Sequence, residues 1–491
     1  MRTKVVRLII AFVAIVVVLV AVLLIRAATF ASKQVDVPPS ELTAPDGAAQ
    51  RLAQSVRFRT VSNADVAKMD VAEFARFNAF LQTAFPGAHV AMEREVVEPC
   101  SLVYTWPGKN AEAQPVLLAS HTDVVPVEAH EAKQWTHPPF SGEIADGHVW
   151  GRGTLDDKVG VLGLLEGVEM LVANGHQPAR TIVFAFGCDE EVGGDAGAKA
   201  IAKWFAERKM HFEFALDEGL VIVQGYLAGI VEPLALVGIV EKGFATFELA
   251  VEAEGGHSSM PPKSTAIGIL AAGIARLEAR RMPTRLNPAA EKMFEYVGPQ
   301  MPFGLKVVFA NLWLLRPVLV SQLAQDKSTN AIVRTTTAVT VMNAGVQDNV
   351  LPKKAIAKVN FRLLPGDSLA DVERHINETV DDERIRVRMA EGGFGNEASR
   401  ISNDETFGFR SIRDSVRAAF GNEVVVAPGS TTGGTDVRHY ESVSTDQYRF
   451  APLLLRKSDN DTARIHGVDE RVSVENYNKA IVFYAELLRR L

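Results

Sequence analysis

Residues 115–123 read PVLLASHTD, an apolar run that stops at a histidine and an aspartate two residues apart. A short stretch of this kind, bounded by proline and by polar residues, is a buried strand whose last residues emerge at the edge of a sheet. The pattern recurs: TIVFAFG (181–187) runs into CDEE (188–191), and FEFAL (212–216) runs into Asp217. Between the first two lies KVGVLGLLEGVEMLVANG (158–175), apolar at helical spacing with a glycine stop, which predicts a crossover helix on a largely parallel α/β sheet. Ligands of such sheets gather beyond the carboxyl ends of the strands, where all three polar clusters fall.

Outward from this core the order of elements changes near Val240. FATFELAVEAE (244–254), a helix over 264–280, strands over 332–342 and 355–364, a helix from Ser368 and RIRVRMA (384–390) give β-α-β-β-α-β, a ferredoxin-like α+β unit. An apolar insertion over roughly 283–325 interrupts it and includes MPFGLKVVFANLWLLRPVLV (301–320). The α/β pattern resumes after Gly393. The expected architecture is a catalytic domain in two parts, 41–239 and 394–491, interrupted by a lid domain over 240–393.

At the other end, LIIAFVAIVVVLVAVLLI (8–25) holds no charge or hydrogen-bonding side chain and is long enough to cross a hydrocarbon core as a helix. Arg2, Lys4 and Arg7 precede it, which keeps the N-terminus cytoplasmic and exports the body to a periplasmic or lumenal space as a single-pass membrane protein. A cleaved signal peptide, cut near Ala27, Ala28 or Ala31, is the rival reading. SKQVDVPPSELTAPDG (32–47) reads as a polar linker, with the body starting near Glu41 and residues 1–40 forming anchor and linker.

The remaining composition is that of a globular protein, with 491 residues, 47% hydrophobic and 23% charged. A net charge of −7, from 52 basic against 59 acidic residues, excludes a phosphate-neutralising surface and so a nucleic-acid partner. Two cysteines exclude a disulfide framework and a cysteine-rich zinc module. Cys188 reads as a small buried residue at a strand end, since no pairing base is indicated for a nucleophile, and Cys100 has no catalytic context.

Chemistry concentrates at the strand ends: His121 and Asp123, Asp156 in GRGTLDDK (151–158), Glu190 and Glu191, Asp217, and His466 in RIHGVDER (464–471). Two imidazoles among several carboxylates suit zinc or a similar divalent ion. Together with GGHSS (255–259), NVLP (349–352) with a downstream Arg362, and GGTD (433–436), the ordered set resembles the M20 metallopeptidases of aminoacylase and carboxypeptidase type. Within that family it resembles the branch of carboxypeptidase S and the N-fatty-acyl-amino-acid synthase/hydrolases.

The resemblance implies two zinc ions per subunit, with cobalt or manganese as substitutes. His121 and Asp217 would hold one, Glu191 and His466 the other, and Asp156 would bridge them. Asp123 would orient His121, Glu190 would act as general base, and His257 would stabilise the oxyanion, from the same chain or from a homodimer partner through the lid. Asn349, Arg362, Gly434 and Thr435 would hold the substrate, with Arg362 on its carboxylate. His439 is an open candidate for outer support. The implied reaction is hydrolysis of the amide bond next to a C-terminal amino acid, in a peptide or in an N-acyl amino acid, the latter with possible reversal to synthesis. The stretch 301–320 lines an acyl groove, rests on a membrane surface, or packs against the lid or a dimer partner. The alternative function is that of a catalytically silent, membrane-anchored, receptor-like ectodomain of the same fold.

Overall fold

A computed structural model of the chain describes residues 2–97, 99–390 and 395–491. At its centre Val116–His121 lies between two parallel neighbours, Ile182–Gly187 and Phe212–Asp217, and Ser444–Arg449 continues the parallel set beyond the latter. Register pairs His121 with Gly187 and Asp217 with Arg449. The residues after each strand therefore leave the sheet at one edge. The crossover helix Lys158–Ala173 connects the first two strands and packs on the C-terminal helix Val474–Arg490.

The ten-stranded sheet is mixed, which corrects the largely parallel expectation. Glu93–Val97 pairs antiparallel with Ser101–Trp106, which pairs antiparallel with Ile182–Gly187. On the other side Leu234–Glu241 runs antiparallel to Ile222–Gln224 and Ser444–Arg449 but parallel to Val425–Thr431. Short connections, such as that between Val97 and Ser101, can only fold a strand back beside its predecessor. The helical crossover that marks the parallel core says nothing about these outer strands.

The same pairing explains the cysteines. Leu102 sits opposite Phe186 in an antiparallel ladder, so Cys100 and Cys188, each two residues further out, meet and form a disulfide. Cys188 is thus a bridging residue rather than the lone buried thiol expected from the sequence. With the partners 88 positions apart in the chain, no local pattern announces the bond.

Lys242 alone separates Leu234–Glu241 of the large sheet from Gly243–Glu252 of a second, four-stranded antiparallel sheet. Its strands lie in the order Thr336–Ala344, Lys354–Leu363, Gly243–Glu252, Ile385–Met389, and the helices Ala266–Ala279 and Leu369–Val380 cover it to form a separate apolar core. The expected boundary at residues 393 and 394 lies outside the described residues. The insertion forms four helices, Pro288–Val297, Phe303–Ala310, Leu312–Leu323 and Lys327–Val333. Phe294, Val297, Phe309, Leu319 and Val320 of these helices join the core of the large sheet.

Arg2–Ala28 is one helix, long and apolar enough to cross a membrane. The segment after it is not the loose linker suggested by its composition. Lys33 pairs with Glu295 at 2.7 Å, Gln34 Nε2 donates to Val426 O, Val37 N donates to Asn422 Oδ1, and Ser40 N donates to Ala418 O. Side chains of the body satisfy its backbone and hold it in place.

Candidate metal centre

Asp156 occupies the middle of the site. One of its oxygens lies 2.9 Å from His121 Nε2 and the other 3.1 Å from His466 Nε2, and His466 Nε2 is also 3.0 Å from Glu191 Oε1. His121, Asp156 and Glu191 offer ligand atoms that all lie within 4.8 Å of one another. Asp217 is buried close by, with one oxygen accepting from Glu218 N at 2.9 Å and the other from Val437 N at 2.7 Å.

Asp123 joins the halves of this arrangement. Its main-chain oxygen is 3.1 Å and its Oδ1 3.3 Å from His121 Nδ1, which leaves Nε2 to face the centre. The same carboxylate accepts from Glu190 N and Glu191 N, each at 3.2 Å. One side chain thereby aligns an imidazole and the loop that carries two acids.

Several residues besides the expected ligands complete the site. Arg152 pairs with Glu470 at 2.5 Å and donates to His466 O at 3.1 Å, while Glu470 Oε1 accepts from Gly153 N and Leu155 N. This buried pair fixes the loop before Asp156 and the turn bearing His466 together. Ser120 donates to Asp157, next to Asp156. Asp436 lies against the Glu190–Glu191 loop: a Cβ on Gly194, which has φ +74°, would come within 2.6 Å of Asp436 Oδ1. Only glycine serves there. His439 Nε2 is 3.1 Å from Gly193 O, and burial pushes its imidazole down to about 4, so it supports that loop as a neutral ring. A second acid in DD and in LDEG was the available signal for Asp157 and Glu218; the Arg152–Glu470 pair spans 318 residues and had none.

The electrostatics call for cations. Burial, with nearby carboxylates adding to it, pushes Glu190, Glu218 and Asp436 well above the usual carboxylate range. Burial also opposes the charged forms of His121 and Asp156, but their bonds outweigh it: Asp123 and Asp156 hold His121 up, and the two imidazoles hold Asp156 down. Hydrogen bonds to Asp156 and Glu191 raise His466 to about 10. Protons thus offset part of the negative charge. Imidazole nitrogen with carboxylate oxygen is the donor set of zinc and its borderline neighbours, so the residues fit a divalent metal.

Above the centre lies a cavity of about 580 Å³ lined by Asp156, Glu190, Glu191, Arg362 and His466, among others. Arg362, from the second sheet, stacks over Phe244 at 4.7 Å, and burial lowers its guanidinium. Gly434 and Thr435 also line the cavity. Thr435 is not the free donor expected, since its amide and hydroxyl both donate to Glu241. Gly434 gives Arg438 room, because a Cβ there would stand 2.2 Å from Arg438 Nη1.

His257 and Asn349 do not line this cavity. Both are exposed on the second unit, where Gly256–His257 pairs with Val350–Leu351, His257 Nδ1 is 2.8 Å from Ser259 Oγ, and Asn349 O accepts from Ser258 N.

The carboxylates that face them hold both imidazoles above their usual range, so a metal competes with protons for the same nitrogens. Binding of Zn²⁺ at pH 7 is therefore expected to release protons, and affinity should fall as pH is lowered. Calorimetry in buffers of different ionisation enthalpy measures the release; a binding enthalpy independent of buffer would contradict it.

The sequence profile of Peptidase family M20/M25/M40 matches residues 117–490. The chain is 38% identical over 482 residues to a probable carboxypeptidase S-like protein 2 of Dictyostelium discoideum, covering 95% of this chain and 91% of that protein. It is 40% identical over 438 residues to an N-fatty-acyl-amino acid synthase/hydrolase of Danio rerio, covering 89% and 84%. Among solved structures, the fold matches an M20 family metallo-carboxypeptidase of Sulfolobus solfataricus with TM-score 0.66 and 16% identity, covering 91% and 99% of the two chains. From the matched profile, the extent of these identities and the residues gathered around Asp156, the chain belongs to peptidase family M20/M25/M40.

Proposed function

We propose that this chain is a two-zinc amidohydrolase that cleaves the bond between an acyl group and the nitrogen of a C-terminal amino acid. The carrying observation is the Asp156 carboxylate, which faces His121 with one oxygen and His466 with the other. His121 and Asp217 would hold one ion, Glu191 and His466 the second, with Asp156 between. When bound, the ions would supply Lewis acidity for the substrate carbonyl and for water. Similarity to the carboxypeptidase S-like and N-fatty-acyl-amino acid relatives supports a peptide or a fatty-acyl amide as substrate.

This chain's own residues supply the rest. Arg362 receives the α-carboxylate of the substrate in bidentate fashion and fixes the scissile amide beside Glu190. Glu190 takes a proton from the attacking water as its oxygen adds to the carbonyl carbon. As the C–N bond breaks, Glu190 returns that proton to the departing nitrogen.

The second unit acts as a ferredoxin-like lid, and a second copy of the chain supplies His257 and Asn349. Their exposure and their separation from the cavity that Arg362 lines support this reading. The N-terminal helix anchors the body outside the cytoplasm, which the Cys100–Cys188 bond favours, because disulfides persist in oxidising compartments. No observation favours the silent, receptor-like alternative.

Glu190→Gln should keep its metal and lose about 10²–10⁴-fold in kcat, as read by metal analysis beside amino-acid release. Mixed with an equally inactive His257→Ala chain, it should regain part of its activity through dimers with one complete site. Failure of mixing to restore any turnover would reject the shared site.

Amidation of the substrate's α-carboxylate should lower kcat/KM by about 10–100-fold in the parent enzyme, and Arg362→Ala should be insensitive to the same change. Equal sensitivity in both would remove Arg362 from carboxylate binding. Comparing an N-oleoyl amino acid with a dipeptide of the same C-terminal residue then assigns the acyl side.

A further inference from the structure

The helices Phe303–Ala310 and Leu312–Leu323 meet at a bend of 115° and present large apolar side chains to solvent. Phe303 and Trp313 are each 58% exposed and Val318 56%, with Leu305 and Leu314 beside them. Few water-facing surfaces of a soluble body group such residues without a partner. Two further observations identify what covers them.

The bend is attached to the end of the N-terminal helix. Buried Asn311, at the break, donates from Nδ2 to Leu23 O at 3.0 Å and to Val307 O at 2.8 Å, and Arg26 Nε donates to Ala310 O at 3.1 Å. Leu23 belongs to the uncharged run 8–25, so the bend lies level with the last turn of the candidate span. The segment that follows has no slack to lift the body away, because Lys33, Gln34, Val37 and Ser40 are all bonded to it. A bilayer crossed by this helix therefore meets the bent pair at its surface.

We infer that the bent pair is a membrane-immersed platform: its exposed face enters the acyl and headgroup boundary of the leaflet where the N-terminal helix emerges. The inference rests on the anchoring proposed above. The chemistry suits that depth, with Phe303, Leu305, Leu314 and Val318 for the acyl side, Trp313 as an amphipathic ring, and Lys306 on a stem that can reach headgroups, while Arg316 pairs with Glu291 at 2.7 Å. The body then lies fixed on the leaflet instead of swinging on a tether. Lys242, which lines the cavity over the metal centre, bonds Ala331 O and Arg334 O at the end of the same insertion, so the platform and the cavity wall are mechanically continuous.

The test uses the full-length chain in phosphatidylcholine vesicles, with a nitroxide attached to Phe303→Cys, Trp313→Cys or Val318→Cys in turn; the native cysteines are bonded to each other. Val16→Cys, midway along the N-terminal helix, and Val346→Cys, 92% exposed on the second unit, serve as references. The platform predicts an oxygen-to-nickel-chelate accessibility ratio at all three positions several-fold above that of Val346→Cys and in the direction of Val16→Cys. Ratios like that of Val346→Cys, with Val16→Cys in hydrocarbon, would overturn the platform and leave the anchor standing. Low accessibility to both reagents would mean a protein partner, such as a second copy, and would also overturn it. An aqueous Val16→Cys would overturn the anchor and the platform together.

Discussion

The Asp156 carboxylate faces imidazoles brought from opposite ends of the chain, His121 from an early strand and His466 from a turn near the C-terminus. Each group alone would be unfavourable to bury, and together they still leave more acid than base. Everything nearby serves to hold them in that arrangement. Asp123 turns His121 and aligns the Glu190–Glu191 loop, while the Arg152–Glu470 pair joins the two loops that present Asp156 and His466.

The sheet makes this possible at small conformational expense. Parallel strands in fixed register end at one edge, so His121, the loop after Gly187 and Asp217 need no long excursions to converge. The Cys100–Cys188 bond closes the ladder immediately before the loop that carries Glu190. The second unit joins the first through Lys242 alone on one side; its Arg362 lines the cavity, while His257 and Asn349 lie outside it.

Much of this was legible in the residues. Hydrophobic runs that end in acids and histidines reveal buried strands and the edge where they stop, and the helical spacing of 158–175 reveals the crossover. What the sequence left hidden depends on pairing between distant residues. The antiparallel register that joins Cys100 to Cys188, the Arg152–Glu470 ion pair and the capture of Thr435 by Glu241 each arise only once the chain is folded. The segment over 32–47 misled for the same reason: its polar, proline-containing composition describes a flexible linker, whereas its partners are set by Asn422, Val426 and Ala418 nearly four hundred residues away.

The extra buried acids also change the charge balance of the centre. Glu218, Asp157 and Asp436 stand behind the expected ligands, and burial drives each toward its neutral form. Burial raises Glu191 and Asp217 as well, and the two divalent ions proposed for this centre would give these acids positive partners. Anomalous diffraction at the zinc edge, from crystals of the zinc-loaded chain, tests this account most directly. It predicts two peaks flanking the Asp156 carboxylate, one beside His121 and Asp217 and the other beside Glu191 and His466; a single peak, or peaks away from Asp156, would contradict it.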